Sequence, residues 1–297
     1  MDHKNLKFIN FLKIIRPHQW VKNTLVFLPM LMSHQISLNN FILSLKAFVV
    51  FSLIASSIYV INDIADIESD KKHPFKKFRP LAAGLIDIAH CKIIIFFLLF
   101  LCVFFLFTTN LNFFLLVINY FIISNIYTFY LKKFAFIDLL ILSILFTGRI
   151  IAGGLITEIS ISFWLISFSI FFFISLASVK RQIEFLNFKK LNKEEITGRG
   201  YYLKHENIVN KISIFSGSIS ILVLIFYINS PQVLNLYSFP IILWGMCIIM
   251  LFWISRIILI AKKGEIKDDP IVFAINDKIS YLCLIFILCI IWLGIII

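Results

Sequence analysis

The chain has 297 residues, of which 60% are hydrophobic, 34 are phenylalanine and only 15% are charged. A water-soluble domain averages about 45–50% apolar and 25% charged residues, so the composition excludes one and implies an all-α integral membrane protein. The net charge of +12 does not call for nucleic acid, because the bases stand in short loops between apolar runs, where membrane topology and acidic phosphates account for them.

The N-terminal stretch MDHKNLKFINFLKIIRPHQW is basic and amphipathic, with no small-residue cleavage site after it, so no removable signal peptide is expected. A spanning helix needs about 20 mostly apolar residues. Nine stretches qualify: 20–37, 40–62, 90–109, 111–131, 136–156, 161–180, 209–229, 239–261 and 279–297. The first is the weakest, interrupted by Lys22, Asn23 and Pro29, and Gln19, Trp20, Lys22 and Asn23 are expected at the interface or in a polar cavity. Nine spans with a cytoplasmic N-terminus put 1–19, 63–89, 132–135, 181–208 and 262–278 inside, and these hold most of the lysines and arginines. The outside segments near 38–39, 110, 157–160 and 230–238 hold none. That asymmetry is what the positive-inside rule requires, and it places the charged loops in the cytosol. The whole chain, 1–297, is expected to form a single polytopic domain. The five cysteines are scattered through apolar runs without metal-ligand spacing and are read as packing residues.

The stretch Tyr59–Gly84 concentrates the charge. It holds Asp63, Asp66, Glu68 and Asp70, then Lys71, Lys72, Lys76, Lys77 and Arg79. On a helix, Asp63, Asp66 and Asp70 are spaced by three and four residues and share a face, with Asn62 beside them. Carboxylates on one face repel unless a cation sits between them, and oxygen-only ligands suit Mg²⁺, which completes its shell with water and phosphates. Arg79 and the lysines then meet the remaining phosphate charge. The stretch reads as a magnesium–diphosphate site, and the alternative is a solvated charged loop between two membrane helices.

Further along, YTFYLKKFAFID (127–138) offers Tyr127, Tyr130, Lys132, Lys133 and Asp138 at a cytoplasmic turn. Arg149 lies inside an apolar run, where an arginine is a functional candidate or one half of an internal salt bridge. Gly148, Gly153 and Gly154 permit close helix packing or leave room for substrate, with packing favoured. The segment 178–206 is the longest polar stretch. It carries Lys180, Arg181 and Glu184 at a helix end, the last two able to pair with each other, and the remainder reads as a loop able to cap a site. Asp268–Asp269–Pro270 matches a helix-start signal. The six histidines form no metal-ligand pattern; His73 reads as a surface loop residue more than a phosphate contact.

With RPHQWVKN (16–23), Asn62-Asp63-x-x-Asp66-x-x-x-Asp70, KKFRPLAAG (76–84), LKKFAFIDLLI and GRIIAGG (131–154), KRQIE (180–184) and KDDPIVFAINDK (267–278), the chain resembles the UbiA-type intramembrane prenyltransferase superfamily over nearly its whole length. It is most similar to the decaprenyl-phosphate phosphoribosyltransferase branch. The superfamily's second aspartate motif, DxxxD, is missing from the turn taken as equivalent, where Lys132, Lys133 and the single Asp138 stand. The resemblance implies nine transmembrane helices in a UbiA-like bundle with cytoplasmic cap loops, in the inner membrane with the active site facing the cytoplasm. It implies Mg²⁺-dependent transfer of 5-phosphoribose from 5-phosphoribosyl diphosphate to a polyprenyl phosphate, with no nucleic acid among its partners and self-association compatible with it. Asp63, Asp66 and Asp70 would be metal-binding and catalytic, with Asn62, Lys76, Lys77 and Arg79 on the donor phosphates. Lys22, Asn23, Tyr127, Lys132, Asp138, Arg149, Lys180 and Arg181 complete the substrate-binding candidates. The main rival is prenyl transfer from a prenyl diphosphate to an aromatic or quinone-precursor acceptor. A transporter would place its polar residues near the bilayer midplane, whereas the acids gather at one edge, and a scaffold leaves the acidic spacing unexplained.

Overall fold

The computed structural model describes residues 3–72, 76–190, 199–266 and 269–296, with the backbone alone for 3–8, 232, 235 and 296. His73, Asp268 and part of the expected cap, 191–198, lie outside the described residues. The elements are helical throughout and fall into two compact units, 1–131 with 148–160 and 132–147 with 161–297.

The first unit opens with helix α1, His3–Ile15, followed by a 3-10 helix, Pro17–Phe27, and a short helix α2, Leu28–Met32. Helix α3, Leu38–Ala65, then runs the length of the unit. Ser37 starts it, its side chain accepting the Asn40 amide at 3.1 Å, which satisfies one of the open N–H groups of a first turn. Small residues buried along α3 (Ser44, Ala47, Ser52, Ala55, Ser56 and Ser57) let neighbours approach closely where lipid gives no hydrophobic drive for helix association. Helix α4, Ile67–Lys71, and the 3-10 turn Lys76–Phe78 follow. Helices α5, Ile88–Leu106, and α6, Leu111–Phe129, complete the unit with the last part of α7, Ile137–Thr157. Along α5, Phe96, Phe97, Phe100 and Phe104 are exposed, which in a membrane is contact with lipid rather than with water.

The second unit contains the first part of α7, the long helices α8, Phe163–Lys190, and α9, Glu206–Ile228, then α10, Pro231–Leu236, α11, Trp244–Lys263, α12, Pro270–Asn276, and α13, Lys278–Ile296. Helices α8 and α9 are joined by polar contacts in an apolar setting: Ser175 Oγ donates to the Ser213 carbonyl at 2.7 Å, and Gln182 Nε2 to Ser213 Oγ at 2.6 Å. Gly217 lies so close to α11 that a Cβ there would meet Ile254 Cγ2 at 2.9 Å.

Eight helices among the described residues are long and apolar enough to cross a membrane. They correspond to eight of the nine expected spans. The ninth expected stretch, 20–37, is not one continuous helix but the 3-10 helix and the five-residue α2, running back along α3 with Trp20 donating to Ser56 and Asn23 to Ser52. Proline at 17 and 29 and the buried polar residues Lys22 and Asn23 break the pattern that hydropathy alone would make continuous. Helix α8 also runs ten residues past its expected end at 180.

Candidate active site

Helix α3 ends at Ala65, and Asp66 stands at the break before α4 with φ −97° and ψ 6°. The backbone ladder continues through the break, with the Asp66 amide on the Asn62 carbonyl at 2.9 Å and the Asp70 amide on the Asp66 carbonyl at 2.8 Å. Seven residues of helix turn through about 700°, close to two full turns, so Asp63 and Asp70 end on the same side. Both carboxylates are buried and both meet one atom: Arg79 Nη1 donates to Asp63 Oδ1 at 3.1 Å and to Asp70 Oδ2 at 2.5 Å. Arg16 Nη2 donates to the same Asp63 oxygen, and its guanidinium lies 5.1 Å from the centre of the Tyr59 ring. Arg16 holds a left-handed backbone, φ 52°, immediately before Pro17.

These residues fit a small divalent cation. The donors are hard oxygens, and two buried carboxylates already converge on a single positive atom. Mg²⁺ is typically held by one or two carboxylates, the rest of its shell being water and phosphate. Among the described residues no three His, Cys, Asp or Glu side chains are gathered as a metal-binding group, so the convergence involves Asp63 and Asp70, with Asp66 half-buried beside them. Asn62 is half-buried one residue before Asp63. Lys76 is half-buried and Lys77 exposed on the 3-10 turn leading to Arg79. Glu68 is exposed and pairs with Lys71 at 2.9 Å, which holds its carboxyl below the usual range.

A second polar group lies deeper in the same unit. Arg149 Nε donates to Asn23 Oδ1 at 2.9 Å, and its Nη2 to the Tyr120 hydroxyl at 2.6 Å. Asn23 in turn donates to Ser52 at 3.1 Å. Ser52 stands eleven residues before Asp63 on α3, or about 16 Å along the helix axis. Through these bonds Arg149 ties the 3-10 segment to α6. Gly153 serves the same contact by close packing, since a Cβ there would lie 2.0 Å from the Val26 carbonyl oxygen. Lys22 is buried on that segment and Tyr127 is half-buried on α6.

In the second unit, Arg181 is fully enclosed between two acids. Its Nε is 3.3 Å from Asp138 Oδ2, and its Nη1 donates to Glu184 Oε2. The pairing with Glu184 is the internal alternative weighed for Arg181. Arg199 joins both acids, at 3.2 Å from Glu184 and 3.7 Å from Asp138. The Tyr201 hydroxyl donates to Asp138 Oδ1 and accepts the Phe136 amide at 2.9 Å. Burial first, and then the Asp138 charge, push the Tyr201 phenol well above its ordinary range. Gly200 is required here, because a Cβ would sit 2.2 Å from the Lys133 carbonyl oxygen. Lys180 pairs with Asp269 at 3.1 Å, and Asp269 also caps α12 by accepting the Ile271 amide at 3.0 Å, the helix-start role read from its sequence. Lys132 is half-buried on the 3-10 turn before α7. Arg256 holds Asp277 through two bonds, at 2.6 and 2.9 Å, and that hydrogen bonding brings the Asp277 carboxyl down to about 2.

Sequence reasoning assigned no role to Arg16, Tyr120, Arg199 or Tyr201. Only Arg16 carried a signal, as the first residue of RPHQWVKN.

The profile of the UbiA prenyltransferase family matches residues 23–188. An uncharacterized protein of Sinorhizobium fredii is 35% identical over 92% of this chain; the chain spans about half of that relative's length, 53%. The nodulation protein NoeC of Azorhizobium caulinodans is 31% identical over 94% of this chain and 91% of its own. Decaprenyl-phosphate phosphoribosyltransferase of Mycobacterium tuberculosis is 35% identical over 58% of this chain and 59% of its own. Among solved structures, a UbiA homolog from Archaeoglobus fulgidus bound to GPP and Mg²⁺ superposes with a TM-score of 0.70, at 15% identity, over 95% of this chain and 99% of that one. The likeness in structure is one of fold, and with the sequence match across more than half of the residues it shows that the chain belongs to the UbiA prenyltransferase family.

Proposed function

We propose that the protein is a membrane transferase that moves 5-phosphoribose from 5-phosphoribosyl diphosphate to a polyprenyl phosphate. The observation that carries this is the convergence of the buried Asp63 and Asp70 carboxylates on Arg79, with Arg16 over the same Asp63 oxygen. The similarity to decaprenyl-phosphate phosphoribosyltransferase supports the choice of donor. Asp63 and Asp70, with Asp66 alongside, would hold Mg²⁺, which neutralises charge on the departing diphosphate.

The bond between the anomeric carbon and the diphosphate oxygen breaks, the diphosphate leaves with the electron pair, and an oxygen of the lipid phosphate bonds to that carbon. That oxygen is already ionised, so no residue has to remove a proton. Positioning then supplies much of the rate. Arg79, Lys76 and Lys77 bind donor phosphates, with Asn62 beside them, and the motif carboxylates stabilise positive charge developing at the anomeric carbon. Lys22, Tyr127, Lys132 and Lys180 are the remaining candidates for the 5-phosphate and the lipid phosphate. Asn23 with Arg149, and Asp138 with Arg181, act by position.

The chain works as one polytopic domain in this reading, since the family match spans residues of both compact units. Nine crossings stay compatible with the 3-10 segment. Eleven residues at about 2.0 Å and five at about 1.5 Å reach about 30 Å, the thickness of the hydrocarbon layer. The bases of the inside loops support an inner-membrane protein with its N-terminus and site in the cytoplasm.

The test offers membranes containing the protein labelled 5-phosphoribosyl diphosphate and, separately, labelled geranylgeranyl diphosphate with an aromatic acceptor. Label entering polyprenyl phosphate from the first supports the proposal. Label moving only from the second replaces it with prenyl transfer.

A further inference from the structure

The four charges at the first site are arranged with the cations outside. The Asp63 and Asp70 side chains are 2% and 3% exposed, against 17% for Arg16 and 25% for Arg79. A metal ion approaching from solvent meets guanidinium groups before it meets either carboxylate. The quartet is neutral as it stands, with two negative and two positive charges. Adding a divalent ion alone leaves two uncompensated positive charges where screening by water is poor. A diphosphate entering with the ion removes that excess, and a guanidinium fork suits phosphate oxygens as well as it suits a carboxylate.

Arg16 and Arg79 are not equivalent. Arg79 spans both carboxylates, whereas Arg16 meets Asp63. Arg16 also sits in a left-handed backbone, φ 52°, a conformation that costs a residue with a Cβ about 1–2 kcal/mol. The Tyr59 ring 5.1 Å from its guanidinium gives the group a resting contact that does not depend on the carboxylate.

We infer that Arg16 is an exchange residue: it neutralises Asp63 while no metal is bound and passes to a phosphate oxygen of the donor when metal and donor enter together. The metal alone therefore binds weakly, and metal and diphosphate strengthen each other's binding by the same factor, as linkage requires. This rests on the reading of Asp63 and Asp70 as the carboxylates of a magnesium–diphosphate site.

The test uses the purified full-length chain in detergent with Mn²⁺ as the metal probe, its bound fraction read by electron paramagnetic resonance without any phosphate present. Arg16→Gln should bind Mn²⁺ about tenfold more tightly than the unaltered protein, a typical coupling factor. The same variant should bind labelled inorganic diphosphate about tenfold more weakly at fixed Mg²⁺, read by equilibrium dialysis. A purely structural arginine would not move the two affinities in opposite directions. Arg16→Lys, which keeps a charge but not the fork, should shift both in the same senses by less, and it carries the test if Arg16→Gln does not fold. Unchanged Mn²⁺ affinity in the Arg16 variants, with loss of Mn²⁺ binding in Asp63→Asn, overturns the exchange role and leaves the metal site standing. Mn²⁺ binding indifferent to Asp63→Asn removes the metal reading itself.

Discussion

Two clusters in this protein contain the same charges, two carboxylates and two guanidinium groups, and differ in what covers them. At Asp63 and Asp70 the acids are buried and the arginines form the outer layer. At Asp138 and Glu184 the order is different: Arg181 is fully enclosed, and Tyr201 fastens Asp138 from the other side. A balanced group of four charges is thus not by itself a sign of function. Where the cations are reachable they can exchange one anion for another. Where a cation is enclosed it has only its internal partners, and losing one leaves a buried charge unpaired.

The sharpest way to break the comparison is to neutralise one acid in each cluster. Asp63→Asn should lower transfer by about a thousandfold or more, the loss expected when several kcal/mol of charge stabilisation disappear. Because the arginines around it are partly exposed and can turn toward water, it should cost less stability than unpairing an enclosed charge. Initial rates and thermal unfolding of the same preparation read both. Arg181→Leu should do the opposite, costing about 3–5 kcal/mol of stability because the buried Asp138 and the half-buried Glu184 are left sharing Arg199. Equal stability losses in the two variants would erase the distinction between the clusters.

Tyr201→Phe sharpens the same contrast at a smaller scale. It leaves a buried Asp138 oxygen and the Phe136 amide without the hydroxyl, for about 1–3 kcal/mol. Unfolding midpoints in detergent measure it, and no shift would mean that the Tyr201 bond is dispensable.

The smallest effect concerns Asp277, which has no role in either cluster. Its carboxyl is held down to about 2 by Arg256, against about 4 in an unfolded chain. The pairing therefore contributes fully above about pH 4 and is lost as pH falls toward about 2, because the unfolded chain takes up the proton first. Melting of the unaltered protein should fall more steeply over that window than melting of Asp277→Asn.

Much of this was legible in the residues, for reasons that are local. Eight spans could be read because a run of apolar residues declares a membrane helix without reference to the rest of the chain. The aspartate spacing of three and four pointed to one helical side, and Arg181 with Glu184 stands at the same short spacing. That 20–37 is a 3-10 helix and a short α-helix rather than one regular helix could not be read, because hydropathy counts side chains while prolines 17 and 29 act on the backbone. Arg16 meets Asp63 from 47 positions away and Tyr201 meets Asp138 from 63. No periodicity reports a contact of that range. Arg149 stands out as unusual inside an apolar run, but its partners Asn23 and Tyr120 come from other elements, and no local pattern names them.

The most direct measurement of the central claim is the mass of the lipid product formed by the purified full-length protein with Mg²⁺, 5-phosphoribosyl diphosphate and a polyprenyl phosphate. The expected product is a polyprenyl phosphate heavier by one phosphoribosyl group, with one diphosphate released per lipid, and none of it from Asp63→Asn. An unmodified lipid, or a product formed equally well by the variant, would contradict the claim.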